Sequence, residues 1–137
     1  MRLLLDTSAF LWWAAAHPAL GPAAGREIES PGNEVFVSAV TGWEIAIKRT
    51  IGKMGLIEGA DTDHQARSDV EWWMEQGLFE ELPVTVRHGV DAGELPRIHR
   101  DPFDRLLVAQ ARAEGLLLVT SDAAVRAYDV PVLDARA

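Results

Sequence analysis

The sequence predicts an α/β fold with a central, mostly parallel sheet of about four to five short strands and helices on both faces. Two observations lead to this prediction. Short apolar runs typical of buried strands recur along the chain, and segments in which apolar residues have helical spacing separate them. Polar residues that favour helix starts follow several of these runs, so the chain alternates between strands and helices throughout.

The first third of the chain contains two strands, each followed by a helix. Residues 2–5 form an apolar run that ends in Asp6-Thr7-Ser8, and these polar residues supply the cap of a helix over residues 9–16. Gly21-Pro22 opens a second helical stretch, which a turn ends before residues 34–37, the second strand. Helical spacing resumes at Val40 and continues as far as Gly52.

The middle of the chain has a weaker pattern. Residues 61–77 predict a polar helix with a small apolar side, and residues 82–84 predict a brief third strand. Residues 85–95 are helical by the same criteria, and Pro96 closes this helix.

The last third contains the strongest helix start of the chain. Asp101 is placed as the N-cap and Pro102 as the first helical residue, and the apolar spacing then continues to Gly115. Residues 116–119 form a continuous apolar strand, Ser121-Asp122 caps a short helix, and residues 130–133 form a final edge strand.

Composition favours one domain over residues 1–137. Apolar residues make up 48% of the 137, which is enough for a sizeable core without crosslinks. Cysteine is absent, which excludes disulfides, a thiolate nucleophile and sulfur-ligated zinc. Asp6 interrupts the N-terminal apolar run too early for a signal peptide, and no stretch approaches the roughly 20 apolar residues of a membrane span. We therefore expect a soluble, cytoplasmic protein.

The charge of the chain is the opposite of what a nucleic-acid-binding protein usually carries. With 13 Lys+Arg and 21 Asp+Glu, the formal net charge is −8. An RNA partner would therefore require basic residues grouped on one face, or metal ions that offset the negative charge near the site.

Three acidic residues occupy positions where ligands gather in parallel α/β folds, outside the carboxyl ends of the strands. Asp6 ends the first strand, Asp122 follows the strand at residues 116–120, and Asp104 lies in the first turn of the helix before that strand. Carboxylates held this close would repel one another and favour protonation unless a cation were present. All-oxygen ligands favour Mg²⁺ or Mn²⁺ over zinc, and such an ion suits phosphodiester hydrolysis.

Each of these acids also has an ordinary structural explanation. Asp6 and Asp122 fit helix caps, Asp104 fits a favourable charge in a first helical turn, and Asp101 is interpreted as a cap. Glu44 joins this set because its helix follows directly after the second strand, but with Lys48 it also forms the i,i+4 pair of a solvated helix face.

Other candidates for chemistry are weaker. The histidines lack the spacing of metal ligands and are interpreted as structural or surface residues: His17, His64, His88 and His99. The pairs Trp12-Trp13 and Trp72-Trp73 could stack on bases, but core or interface positions are commoner for aromatic residues on helices. Arg97, Arg100 and Arg105 either contact phosphate or form a solvated charge run with His99.

Five motifs together resemble VapC-type PIN-domain toxins, ribonucleases of type II toxin–antitoxin systems. In chain order they are LLDTS at residues 4–8, VSAV at 37–40, WEIAIK at 43–48, HRDPFDRLLVAQA at 99–111 and LVTSD at 118–122. The resemblance implies a PIN-like three-layer α/β/α sandwich. It also implies that Mg²⁺ or Mn²⁺ is held by four acidic residues: Asp6, Glu44, Asp104 and Asp122. Ser8 and Thr120 are implied as polar support.

The same resemblance implies an activity and partners. It points to an endoribonuclease that acts on structured RNA such as tRNA or rRNA and to a homodimer. It also points to a cognate VapB-like antitoxin that inhibits the enzyme and joins it in a heterotetramer or larger complex.

Two other functions stay open from the residues. The acidic pocket could be a non-catalytic module that binds a basic segment of a partner protein. Asp6 could instead be the nucleophile of a Mg²⁺-dependent phosphatase, although such sites have a second Asp two residues later, where this chain has Ser8.

Overall fold

A five-stranded sheet forms the centre of the protein in a computed structural model that describes residues 1–62 and 68–137. All four strand pairings are parallel. Across the sheet the strands are β3 (Glu80–Leu82), β2 (Glu34–Ser38), β1 (Arg2–Leu5), β4 (Leu117–Thr120) and β5 (Val132–Asp134). The predicted parallel α/β fold is therefore confirmed.

Helices cover both faces of this sheet. Within the two described ranges they are α1 (Thr7–Ala14), α2 (Pro22–Glu29), α3 (Ala39–Thr50), α4 (Asp69–Gln76), α5 (Val86–Glu94) and α6 (Pro102–Glu114). None of the helices in these ranges has both the length and the apolar character needed to cross a membrane.

The three layers follow from the alternation of side chains along the strands. In β1, Leu3 and Leu5 pack into one apolar cluster with residues of α1, α2 and α4, whereas Leu4 packs into a second cluster with residues of α6. In β4, Val119 and Leu118 divide between the same two clusters. Both faces of the central strands are buried, which explains why these strands are continuous apolar runs instead of alternating ones.

The order of the strands creates a crevice at one edge. From β1 the chain moves outward to β2 and β3, then returns past them through α5 and α6 to place β4 on the other side of β1. The direction of winding therefore reverses between β1 and β4, and the loops after these two strands diverge from a common point. Asp6 lies at this point, with its backbone N–H donating to the Val119 carbonyl at 3.0 Å.

The elements differ from the sequence predictions mainly at their ends. The third strand covers Glu80–Leu82 instead of residues 82–84, because Pro83 has no N–H to extend the ladder. The last strand begins at Val132, after Pro131. The first helix begins at Thr7 instead of residue 9, because the Asp6 carboxylate accepts the Ala9 N–H and caps it there.

The predicted helix over residues 61–77 is shorter in the structure. A reciprocal pair of hydrogen bonds between Ser68 and Glu71 starts α4 at Asp69. Of the residues before it, 61 and 62 are not helical, and 63–67 lie outside the described residues. The predicted α6 is confirmed from its cap at Asp101 to Gly115, which adopts the left-handed conformation (φ 67°) that ends the helix.

Candidate metal site

A cavity of about 270 Å³ opens at the carboxyl ends of β1 and β4. It is lined by Asp6, Thr7, Ser8, Glu44, Lys48, Asp101, Asp104, Ser121 and Asp122. The structure therefore brings together all four acidic residues that the sequence analysis selected, although the chain separates the first from the last by more than a hundred positions. Asp101 and Ser8 also line the cavity.

Asp6 reaches the cavity from the junction of β1 and α1. Its Oδ1 accepts the Ala9 N–H at 2.7 Å, so the carboxylate is both the cap of α1 and a wall of the cavity. Burial raises the pKa of Asp6, and the nearby charges of Glu44 and Asp122 raise it further. Hydrogen bonds from the Thr120 hydroxyl and the Ala9 N–H act in the opposite direction without cancelling the rise in pKa.

Glu44 reaches the same cavity from the second turn of α3. One carboxylate oxygen, Oε1, accepts from the Thr7 hydroxyl at 2.6 Å, and the other, Oε2, lies 2.8 Å from the Lys48 ammonium. The predicted i,i+4 pair with Lys48 thus exists, but the Glu44 side chain is only 7% exposed. The pair therefore belongs to the cavity and not to a solvated helix face.

Asp104 projects from the first turn of α6. Burial raises the pKa of Asp104 to about 7, and the charges of Asp101 and Asp6 contribute to the rise. Asp101 keeps the role of cap, because its Oδ1 accepts the Phe103 N–H at 2.9 Å. In the absence of a cation the Asp104 carboxyl therefore keeps its proton to a higher pH than an ordinary aspartate does.

Asp122 completes the acidic set from the turn after β4. Its Oδ1 accepts the Ala124 N–H at 2.9 Å and its backbone N–H donates to the Thr120 hydroxyl at 3.1 Å. Burial alone would raise its pKa, but the hydrogen bond from His99 and that from Ala124 outweigh burial and lower the pKa of Asp122. The short helix predicted after Asp122 is a single 3₁₀ turn at Val125–Ala127.

His99 is the residue of this site that the sequence analysis left among the structural or surface histidines. Its Nε2 lies 2.6 Å from Asp122 Oδ2 and 3.1 Å from Asp104 Oδ2. Burial lowers the pKa of His99, but Asp122 and Asp104 outweigh burial and raise it. The available signal in the sequence was its position two residues before the Asp101 cap, next to the acidic helix start.

The other hydroxyls near the carboxylates were predicted in part. Thr120 contacts both Asp6 and Asp122, as expected of polar support. Thr7, which the sequence analysis treated only as part of a helix cap, provides the direct contact to Glu44. Its neighbour Ser8, selected for that role, lines the cavity.

The donor set fits a hard divalent cation. Five carboxylates line this open cavity, the four that the sequence analysis selected and Asp101, and of the described residues that line it, Lys48 alone carries a positive charge. Burial and, to a lesser extent, the neighbouring carboxylates raise the pKa of Asp6 and of Asp104, which disfavours their charged forms unless a cation is bound. Side-chain atoms of His99, Asp104 and Asp122 also lie within 4.8 Å of one another, so the two carboxylates meet beside this imidazole. Oxygen ligands of this kind suit Mg²⁺ or Mn²⁺.

Arg105 and the remaining histidines have structural contacts. The Arg105 guanidinium donates to the backbone carbonyls of Ala92 and Leu95, at the end of α5. These donors stabilise the fold, so we do not assign Arg105 to phosphate binding. His88 is buried and lies 2.9 Å from Glu114, and His17 accepts the Ala19 N–H. His64 lies outside the described residues.

The tryptophan pairs are mainly part of the packing. Trp12, Trp13 and Trp73 pack against the apolar cluster on the α1 side of the sheet. Trp72 contacts Trp73 edge to face, with 4.9 Å between ring centroids.

A family model described as "PIN domain" matches residues 3–131 of this chain. Two solved structures have a similar fold. The crystal structure of VapBC2 from Rickettsia felis bound to a DNA fragment from their promoter contains a chain that matches with a TM-score of 0.67 and 17% identity, covering 97% of this chain and 98% of that one. The crystal structure of FitAcB from Neisseria gonorrhoeae matches with a TM-score of 0.54 and 18% identity, covering 97% of each chain. No curated protein gave a significant match.

Proposed function

Because the chain belongs to the PIN domain family, we propose that it is a Mg²⁺- or Mn²⁺-dependent endoribonuclease, the toxin of a type II toxin–antitoxin system. One observation carries the proposal: carboxylates from four separate parts of the chain, Asp6, Glu44, Asp104 and Asp122, converge on one cavity in which Lys48 is the positively charged side chain among the described lining residues. The proposed catalytic unit is a single PIN domain over residues 1–137.

The proposed metal ligands are Asp6, Glu44, Asp104 and Asp122. When bound, a hard divalent cation supplies charge stabilisation for phosphodiester hydrolysis and lowers the pKa of a nearby water. Asp104 must lose its proton for this role, and Asp122 already holds its charge through the contacts from His99 and Ala124. Thr7 and Lys48 fix the two oxygens of Glu44, which orients that carboxylate within the cavity.

The proposed substrate is structured RNA such as tRNA or rRNA. The chain's net charge of −8 opposes binding of a polyanion over most of the surface, so binding depends on the cation and on nearby basic side chains. Arg97 and Arg100 are both exposed on the segment between α5 and α6 that carries His99. We assign them to phosphate contacts beside the cavity.

The proposed partner is a VapB-like antitoxin that inhibits the enzyme. The similar chains come from the structures of VapBC2 and FitAcB, which supports an antitoxin partner for this protein. We propose a cytoplasmic homodimer that joins the antitoxin in a heterotetramer or larger complex. Co-expression with the product of the adjacent gene, followed by co-purification and measurement of mass, tests this part of the proposal.

Cleavage of purified RNA tests the activity. The wild-type protein is incubated with total RNA and Mn²⁺ or Mg²⁺ beside Asp6→Asn and Asp129→Asn, the second being a matched loss of charge at an exposed position. We expect cleavage by wild type and Asp129→Asn, and a loss of at least a hundredfold in Asp6→Asn. Equal cleavage by all three proteins, or cleavage that persists in chelator, would exclude the proposed site.

The acidic cavity and the net charge of −8 also favour a second function, a non-catalytic module that binds a basic protein segment. Calorimetric titration with Mn²⁺ separates the two functions. The nuclease proposal requires saturable metal binding that Asp104→Asn abolishes, whereas a protein-binding pocket requires none.

A further inference from the structure

His99 places its imidazole between two of the proposed metal ligands. Its Nε2 lies 2.6 Å from Asp122 Oδ2 and 3.1 Å from Asp104 Oδ2. These carboxylates come from two different elements, the first turn of α6 and the turn after β4. His99 is therefore the side chain that connects them.

The other ring nitrogen determines what Nε2 can do. His99 Nδ1 accepts the backbone N–H of Asp101 at 3.1 Å, so it presents a lone pair and no proton on that side. The neutral ring that satisfies this contact carries its proton on Nε2, which then donates to Asp122 and Asp104. A nitrogen that carries a proton has no lone pair for a metal ion, so the geometry assigns His99 as a donor and not as a ligand.

The segment that carries His99 is held firmly by its neighbours. The His99 N–H donates to the Tyr128 hydroxyl at 2.9 Å, and this hydroxyl donates to the Pro96 carbonyl at 2.9 Å. Arg105 donates to the same carbonyl at 3.0 Å. The backbone on both sides of His99 is thus fixed, because Asp101 anchors the segment to α6 at its other end.

We propose that His99 is a positioning residue whose Nε2–H holds the carboxylates of Asp104 and Asp122 in the geometry that a divalent cation needs, without binding the cation itself. The inference rests on the proposed metal site. Two alternative roles for His99 predict different results. A histidine that ligated the ion would bond to it through nitrogen, and a histidine that occupied the ion's place would compete with it.

Calorimetric titration with Mn²⁺ distinguishes positioning from competition. The proteins are wild type, His99→Ala, His99→Gln and the matched control His17→Gln, in which an exposed histidine beyond the other end of α1 is changed. We expect His99→Ala to weaken Mn²⁺ binding by about 10- to 100-fold, the usual effect of removing a hydrogen-bond donor to a metal ligand. His99→Gln restores most of the affinity, because the glutamine amide N–H can reach the same oxygens. His17→Gln leaves the affinity unchanged.

Three results of the titration would overturn the inference. Tighter binding in His99→Ala would show competition, and unchanged binding would show that the contact is irrelevant. Equal loss in His99→Ala and His99→Gln would show that a donor at this position is insufficient. Absence of saturable Mn²⁺ binding in wild type would overturn the proposed metal site as well, so the two failures are distinguishable.

Pulsed electron paramagnetic resonance of bound Mn²⁺ separates a donor from a ligand. Protein labelled with ¹⁵N-histidine is loaded with Mn²⁺ and examined for hyperfine coupling to nitrogen. The inference predicts that the strong coupling of a directly bonded nitrogen is absent. Such a coupling, present in wild type and lost in His99→Gln, would identify His99 as a ligand and overturn the inference.

Discussion

Asp104 carries a clear electrostatic cost in the metal-free protein. Its carboxyl is buried near the charges of Asp101 and Asp6, and its pKa is raised to about 7. A group whose pKa lies this far above its ordinary value destabilises the folded state once it ionises. Residues with this property concentrate at functional sites, where the charge is needed for a ligand and not for the fold.

The neutral variant Asp104→Asn should therefore bind metal more weakly and have a larger free energy of unfolding. Without metal at pH 8, we expect its free energy of unfolding to exceed that of wild type by about 1–3 kcal/mol, because the amide removes the buried charge but keeps the shape. Urea unfolding monitored by tryptophan fluorescence measures this difference. The exposed control Asp129→Asn should change stability by less than about 0.5 kcal/mol. A less stable Asp104→Asn would contradict the destabilising effect that burial and the neighbouring charges are assigned at Asp104.

The raised pKa of Asp104 also sets a dependence on pH. An unfolded aspartate has a pKa near 3.8, so between that value and about 7 the folded state binds the extra proton. The contribution of Asp104 to stability is therefore fully present below about pH 4 and is lost as pH rises through about 7. Mn²⁺ binding should show the opposite trend, because the ion must displace that proton.

Calorimetry at pH 6.0 and 8.0 measures this trend for Mn²⁺. We expect the affinity to rise by about tenfold between the two values, since close to one proton is displaced per ion at the lower pH and almost none at the higher. Repeating the titration at pH 6.0 in buffers of different ionisation enthalpy counts the released protons. An affinity that is flat with pH, with no proton release, would contradict the raised pKa.

At the scale of elements, a partly buried ion pair between Arg49 and Asp69 joins α3 to α4. The Arg49 guanidinium binds both oxygens of Asp69, one of them at 2.8 Å, and Asp69 Oδ2 also accepts the Ile57 N–H at 2.7 Å. Arg49 in addition donates to the Gly55 carbonyl at 3.0 Å. The pair therefore holds the segment after α3 as well as the two helices.

Removal of Asp69 from this pair should lower the free energy of unfolding and leave metal binding unchanged. In Asp69→Ala, Arg49 is left without its counter-charge and the Ile57 N–H without an acceptor, so we expect a loss of about 3 kcal/mol in the free energy of unfolding. Breaking the exposed pair Arg87–Asp91 by Asp91→Ala should cost less than about 1 kcal/mol. Chemical denaturation measures both, and Mn²⁺ affinity should stay within twofold of wild type. A large loss of Mn²⁺ affinity in Asp69→Ala would show that the Arg49–Asp69 ion pair also supports the proposed metal site.

Elements with strong local signals could be predicted from the sequence. The Asp-Pro start of α6 and the apolar runs of β1 and β4 depend on neighbouring residues alone, and their bounds agree with the structure within about two residues. The third strand could not be placed as well, because its first residues, Glu80 and Glu81, are exposed edge positions without an apolar pattern. Its register depends on pairing with β2.

The site was predictable to the extent that strand ends define it. Asp6 and Asp122 follow strands directly, so the rule for parallel sheets finds them. Glu44 required the family resemblance, because a Glu four residues before a Lys has the pattern of an ordinary surface pair. The contact of His99 with Asp122 depends on how the segment before α6 folds back against the turn after β4, which spacing along the chain does not encode.

At the scale of the whole molecule, the negative charge makes the two exposed arginines beside the site important. Replacing Arg97 and Arg100 together by Glu should raise KM for RNA by about tenfold and leave kcat within about twofold, because we propose that these side chains contact phosphate and not the reacting atoms. Arg112→Glu, a single charge reversal at an exposed position near the far end of α6, should have little effect. Steady-state cleavage of a short fluorescent RNA measures both constants. A fall in kcat without a change in KM would contradict a role in binding.

Metal binding should also stabilise the whole molecule, because the four proposed ligands come from elements that unfolding separates. An ion present at a hundred times its Kd adds about 2.7 kcal/mol to the free energy of unfolding. For a chain of 137 residues this corresponds to a rise in Tm of roughly 9 °C. Differential scanning calorimetry with Mn²⁺ and with chelator measures the rise, which should be below about 2 °C in Asp104→Asn. If Asp104→Asn gains as much as wild type, the stabilising ion is bound elsewhere, and the convergence of carboxylates at β1 and β4 is not the site of metal binding.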